Sequence, residues 1–162
     1  MQRVRQFAAH LTARVDPAEE ADARRLLVGR TWHLFASMPV ADRRHALDVA
    51  ARLRAAGHAD PDLLAAALLH DVAKGGRVRL WHRVAGVLVE AVSPWLLERI
   101  ASPAPRSWRY PFHLYLHHDR LSADQAEAAG ASRRTVGFLR RTLTDSGDAQ
   151  LARALQAADD AS

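Results

Sequence analysis

Along most of the chain apolar residues recur three or four positions apart. Period-two alternation of β-branched and aromatic residues is nearly absent. The pattern predicts an all-α fold with short connections, an irregular bundle of about eight to ten helices. A first amphipathic segment covers about Gln2 to Val15. Asp16-Pro17, an N-cap followed by proline in the first helical turn, opens a second helix that is expected to run to about Ser37. A third begins near Pro39 and stops at Gly57. Asp60-Pro61 opens a fourth, closed by Gly75-Gly76. A fifth covers about Val78 to Val92, and Ser93-Pro94 caps a short sixth. Ser102-Pro103-Ala104-Pro105 reads as a loop. Helical pattern resumes near Tyr110, with Ser122 and Ser132 as expected caps of two further helices, and a last helix covers about Asp148 to Asp160.

Length and composition narrow this picture. At 162 residues with 49% hydrophobic residues, the chain is expected to form one domain, residues 1–162, around one core. It has no cysteine, so any transition metal must be held by His, Asp or Glu. No apolar run approaches the roughly 20 residues that span a bilayer. The basic N-terminus lacks the apolar centre of a secretory signal, which leads to the expectation of a cytoplasmic protein without a membrane partner. The formal charge of +5 favours anionic partners such as phosphates. Of the 23 basic residues only Lys74 is a lysine. The Arg and Ala bias looks general to the chain, so high Arg says little for nucleic-acid binding.

The polar residues that interrupt apolar faces carry the candidate chemistry. The fourth helix is apolar from Leu63 to Leu69 and then reads His70-Asp71-Val72-Ala73-Lys74. Its stripes place Leu63, Ala67, His70 and Lys74 together, with Leu64, Leu68 and Asp71 beside them. A charge carried toward a core is costly unless paired or metal-bound; the alternative is a helix end near solvent. His45 shares a face with Val49 and Leu53, as a core histidine also would. Leu151, Leu155 and Asp159 follow one another at i+4 in the last helix, making Asp159 the inward member of the Asp159-Asp160 pair. A carboxylate opposes the dipole at a helix C-terminus, and a metal would remove that objection. Two His and two Asp on three separate helices fit one octahedral site for Mn²⁺, Fe²⁺, Co²⁺ or Mg²⁺. Imidazole ligands favour the transition ions, and two positions remain for water and substrate.

Arg44-His45-Ala46-Leu47-Asp48-Val49-Ala50, then Leu68-Leu69-His70-Asp71-Val72-Ala73-Lys74-Gly75, then Ala158-Asp159, resemble the HD superfamily of metal-dependent phosphohydrolases. The resemblance covers about residues 40–160, leaving residues 1–39 as a helical extension. It implies a bundle of HD type and hydrolysis of phosphate esters or nucleotide anhydrides. It further implies His45, His70, Asp71 and Asp159 as metal ligands, with one or two divalent ions. Asp71 would orient or deprotonate the attacking water, and Lys74 would assist with phosphate, helped by Arg77, Arg79 or Arg83. Two-metal members add histidines, for which His82, His113, His117 and His118 are the candidates; His113 and His117 stand one helical turn apart. Each of these also reads as a polar surface or core residue. The Gly-Tyr-Pro element of the cyclic-dinucleotide phosphodiesterases is missing. The expected substrate is a small phosphorylated molecule, a nucleotide first among them. Two other readings stay open: a regulatory module that binds a metal or nucleotide without turnover, and a helical RNA- or protein-interaction domain. A homodimer is compatible with the exposed helix faces, without a heptad to support it.

Overall fold

The computed structural model of the chain describes residues 14–75 and 94–162. These residues form eight α-helices, and there is no strand among them. In chain order they are α1 (Pro17–Leu26), α2 (Arg30–Ala36), α3 (Val40–Ala55), α4 (Pro61–Leu69), α5 (Pro94–Ile100), α6 (Tyr110–Ala128), α7 (Arg133–Arg140) and α8 (Ser146–Asp160). Most of the expected first helix and all of the expected fifth lie outside the described residues. No helix among those described is long and apolar enough to cross a membrane.

Local chemistry sets most boundaries. The Asp16 carboxylate accepts from Ala18 N at 2.8 Å, with Pro17 in the first turn of α1. Asp60 does the same for α4, accepting from the amides of Asp62 and Leu63 at 3.0 Å. Ser132 caps α7 through Thr135 N, and Asp145 caps α8 through Gly147 N and Asp148 N. Gly57 ends α3 at a positive φ of 86°, where His58 N reaches back to Leu53 O at 2.9 Å.

Three boundaries depart from the pattern. The helix expected from Pro17 to Ser37 is two helices, because Gly29 at φ 59° and ψ −126° takes a conformation that side chains disfavour and turns the chain between them. Ser122 does not cap a helix; it is fully buried inside α6. Finally α4 stops at Leu69 instead of running to Gly75. In a continuing helix Ala73 N would point at Leu69 O. Here it donates to Ser122 Oγ at 3.1 Å, while Val72 N and Lys74 N close tighter turns onto Leu69 O and Asp71 O.

α4 is the axis of the bundle. Every residue from Leu63 to Leu69 is buried, and the helix packs against α1, α2, α3, α6, α7 and α8. Ala23, Leu27 and Phe35 of the first two helices join the same core as Leu53, Leu68 and Phe138. Arg43 and Arg44 tie the start of α3 to α1, pairing with Glu20 at 2.6 Å and with Glu19. α8 packs on α3 and α4, so its C-terminal turn reaches both the start of α3 and the turn that follows α4.

Candidate metal centre

His45 comes from α3, His70 from the first position after α4, and Asp159 from the last turn of α8. Each helix buries an apolar stripe, and the polar residue stands where that stripe reaches the bundle's end. His45 Nε2 donates to Asp159 Oδ1 at 2.9 Å. His70 Nε2 lies 3.4 Å from the same oxygen, and the two imidazole rings meet edge-on with centroids 5.2 Å apart. One donor atom from each of the three residues falls within 4.8 Å of the others, so the group can hold a metal ion.

Two buried atoms test that fit. His70 Nδ1 donates to Ala67 O at 2.8 Å, which turns Nε2 toward the cluster. Nε2 has no hydrogen-bond partner, and neither has Asp71 Oδ1, which is 3.6 Å from it. Asp71 is 1% exposed. Buried polar atoms are normally satisfied, yet here two face each other at more than hydrogen-bond length. Donors arranged about an octahedral ion at about 2.1 Å would stand about 3 Å apart along each edge. The observed separations of 2.9, 3.4 and 3.6 Å suit such a gap.

Asp71 differs from the other three. Lys74 Nζ donates to Asp71 Oδ2 at 2.8 Å and stands 2.6 Å from Oδ1, out of line for a hydrogen bond there. Asp71 is therefore a buried carboxylate neutralised by the chain's only lysine, and it is not in the group of three that converge most closely.

The charges are strongly coupled. Burial pushes the His70 pKa down, but Asp71 and Asp159 outweigh it and raise it to about 9. Burial likewise pushes the Asp159 and Asp71 carboxyls up. His45 and His70 overcome it for Asp159; His70, Lys74 and His118 do so for Asp71. Both end well below the usual carboxylate range.

The additional histidines divide. His118 Nδ1 donates to Tyr115 O at 2.8 Å, leaving Nε2 3.8 Å from Asp71 Oδ1 and 3.0 Å from Asp119 Oδ1. Burial and then Lys74 lower its pKa against the pull of Asp71 and Asp119. His113 and His117 face each other with ring centroids 4.5 Å apart, and burial followed by His117 and Arg120 lowers the His113 pKa. Neither belongs to the metal-capable group. His82, Arg77, Arg79 and Arg83 lie outside the described residues.

A cleft of about 420 Å³, counting space open to solvent, leads to the cluster. His70, Asp159, Asp119, Arg141 and Gln156 are among the residues that line it. The sequence pattern selected none of these last three, nor Ser122. Asp119 and Gln156 lie on helices and Arg141 in a turn that carry no motif, and Ser122 is buried inside α6. The one available signal was the arginine at the end of α7, a place where glycine is usual. The chain matches no protein-family model, no curated protein and no solved structure at a significant level.

Proposed function

We propose that the protein is a metal-dependent phosphohydrolase of HD type, acting on a small phosphorylated substrate, a nucleotide first among the candidates. The observation that carries this reading is the pair of orphaned, buried donors, His70 Nε2 and Asp71 Oδ1, beside the His45–Asp159 contact. His45, His70 and Asp159 would hold a divalent ion, with Asp71 Oδ1 as the fourth donor. Imidazole with carboxylate favours Mn²⁺, Fe²⁺ or Co²⁺ over Mg²⁺. Such an ion supplies Lewis acidity, acidifying water and offsetting negative charge on a phosphoryl oxygen.

The side chains supply the rest. Asp71 is held ionised by His70 and Lys74 and remains an acceptor at Oδ1, which suits it to orient a water for in-line attack. Its depressed pKa makes it a weak store for the proton. Lys74 fixes that carboxylate; its assistance to phosphate would be shared with the Asp71 contact. His118, with Nε2 toward Asp71 and Asp119, is the neighbouring group able to exchange a proton beside Asp71.

Phosphate release from a nucleotide panel, measured with Mn²⁺ and after chelation, tests the reading. Expected is chelator-sensitive turnover that Asp71→Ala reduces by about 100-fold or more. Chelator-insensitive turnover, or full activity in Asp71→Ala, would end it. Metal and nucleotide binding without turnover would favour the regulatory module instead.

A further inference from the structure

We propose that Arg141 binds the phosphate group of the ligand in this cleft, which His70 and Asp159 also line. The ligand's chemical class, a phosphate oxyanion, rests on the hydrolase reading; the site itself rests on four observations.

Among the described residues Arg141 is the one Lys or Arg lining the cleft that His70 and Asp159 also line. It adopts φ 56° and ψ 36°, the left-handed region. Among the described residues every other positive φ belongs to a glycine, at positions 29, 57, 75 and 130. An arginine here carries strain that glycine would not, and strain retained beside a cleft points to a use for the side chain. The turn that imposes this backbone is tightly fixed. Arg141 N donates to Phe138 O at 3.2 Å and Thr142 N to Gly137 O at 3.1 Å. Leu143 folds onto Gly137 so closely that an added Cβ would lie 2.5 Å from its Cδ2.

The guanidinium is lightly held. Its partner among the described residues is Asp119, at 3.2 Å, with side chains 60% and 50% exposed. By contrast Arg44, Arg134 and Arg140 are each engaged by at least two carboxylates. A single exposed pair contributes little to stability, and it leaves most of the guanidinium fork available for a bidentate contact with phosphate. Lys74, nearer the dyad, is already committed to Asp71, donating to its Oδ2.

The strain and the binding role predict opposite effects of one substitution. Titration calorimetry of the Mn²⁺-loaded protein with inorganic phosphate is run beside thermal melts for wild type, Arg141→Gly and Arg141→Lys. Expected for Arg141→Gly is a phosphate Kd raised about 10- to 100-fold, with a melting temperature raised by about 2–4 °C. Arg141→Lys keeps the charge, loses the fork, and recovers part of the affinity without the gain in melting temperature. An unchanged phosphate Kd in Arg141→Gly overturns the proposal. So does a loss of affinity accompanied by a lower melting temperature, which would mark a structural role. Phosphate binding that depends on Arg141 in a protein that hydrolyses no nucleotide upholds the proposal while the hydrolase reading fails. Hydrolysis with a KM untouched by Arg141→Gly overturns the proposal and leaves that reading standing.

Discussion

At the residue scale the proposed centre would exchange a proton for a metal ion. In the metal-free protein His70 holds its proton up to about pH 9 because Asp71 and Asp159 face it. Its folded pKa is raised above the ordinary 6.5, so its contribution to stability is fully present below about pH 6.5 and is lost as pH rises through about 9. Asp71 and Asp159 are shifted the other way from 3.8, so theirs is present above about pH 4 and is lost on acidification. Stability of the metal-free protein should therefore peak between about pH 4 and 6.5. A divalent ion needs His70 deprotonated, so its stabilising effect should grow with pH. Melting temperatures recorded from pH 5 to 9, with and without Mn²⁺, should diverge steadily. Parallel curves would separate the ion from His70. Removing one ligand gives a direct comparison: His45→Ala should weaken Mn²⁺ binding by about 100-fold or more, read by calorimetry.

At the element scale the key device is the early end of α4. Ser122 Oγ takes the Ala73 amide from 49 residues away and holds the turn that presents His70, Asp71 and Lys74. Ser122→Ala should leave that amide buried and unpaired, costing about 1–3 kcal/mol of stability by denaturant titration. It should also lower Mn²⁺ affinity, because the turn is then free to close into another helical step. An unaltered affinity would mean that the turn is held by Leu69, Asp71 and Lys74 alone.

The sequence showed His70, Asp71 and Lys74 as an interruption of an apolar helix, and Asp159 as a carboxylate on an apolar stripe. It could not show Ser122 in this role, since a serine inside a helix reads as a cap or a surface residue until its distant amide is known. The caps at Asp16, Asp60 and Ser132 were legible because their chemistry lies within three residues. The break at Gly29 was not, because a glycine between two apolar faces is equally compatible with one helix or two. Asp145 was missed as the cap of α8 by a start placed at Asp148. The engagement of Asp71 by Lys74 was also beyond the pattern, which put Lys74 on a neighbouring stripe, while the family resemblance assigned it to phosphate.

At the scale of the whole molecule the site closes only when α8 docks. His45 and Asp159 are separated by 114 positions, and Asp159 reaches His45 and His70 because α8 lies on α3 and α4. Near its other end Arg134 clamps Asp148 of α8 to Asp60 of the α4 cap, at 2.6 Å each. An ion held as proposed by α3, α8 and the turn after α4 would bridge segments distant in sequence, and its binding free energy would become stability of the folded state. The expected gain is RT ln(1 + [L]/Kd), about 4 kcal/mol when free Mn²⁺ is about 1,000 times Kd. Melting temperature should climb logarithmically with Mn²⁺ in the wild type and stay nearly flat in Asp159→Ala. Amide exchange in the last two turns of α8 should slow on metal addition in the wild type alone. If Asp159→Ala keeps the full metal-dependent rise, the ion does not draw on α8, and the three-helix centre must be abandoned.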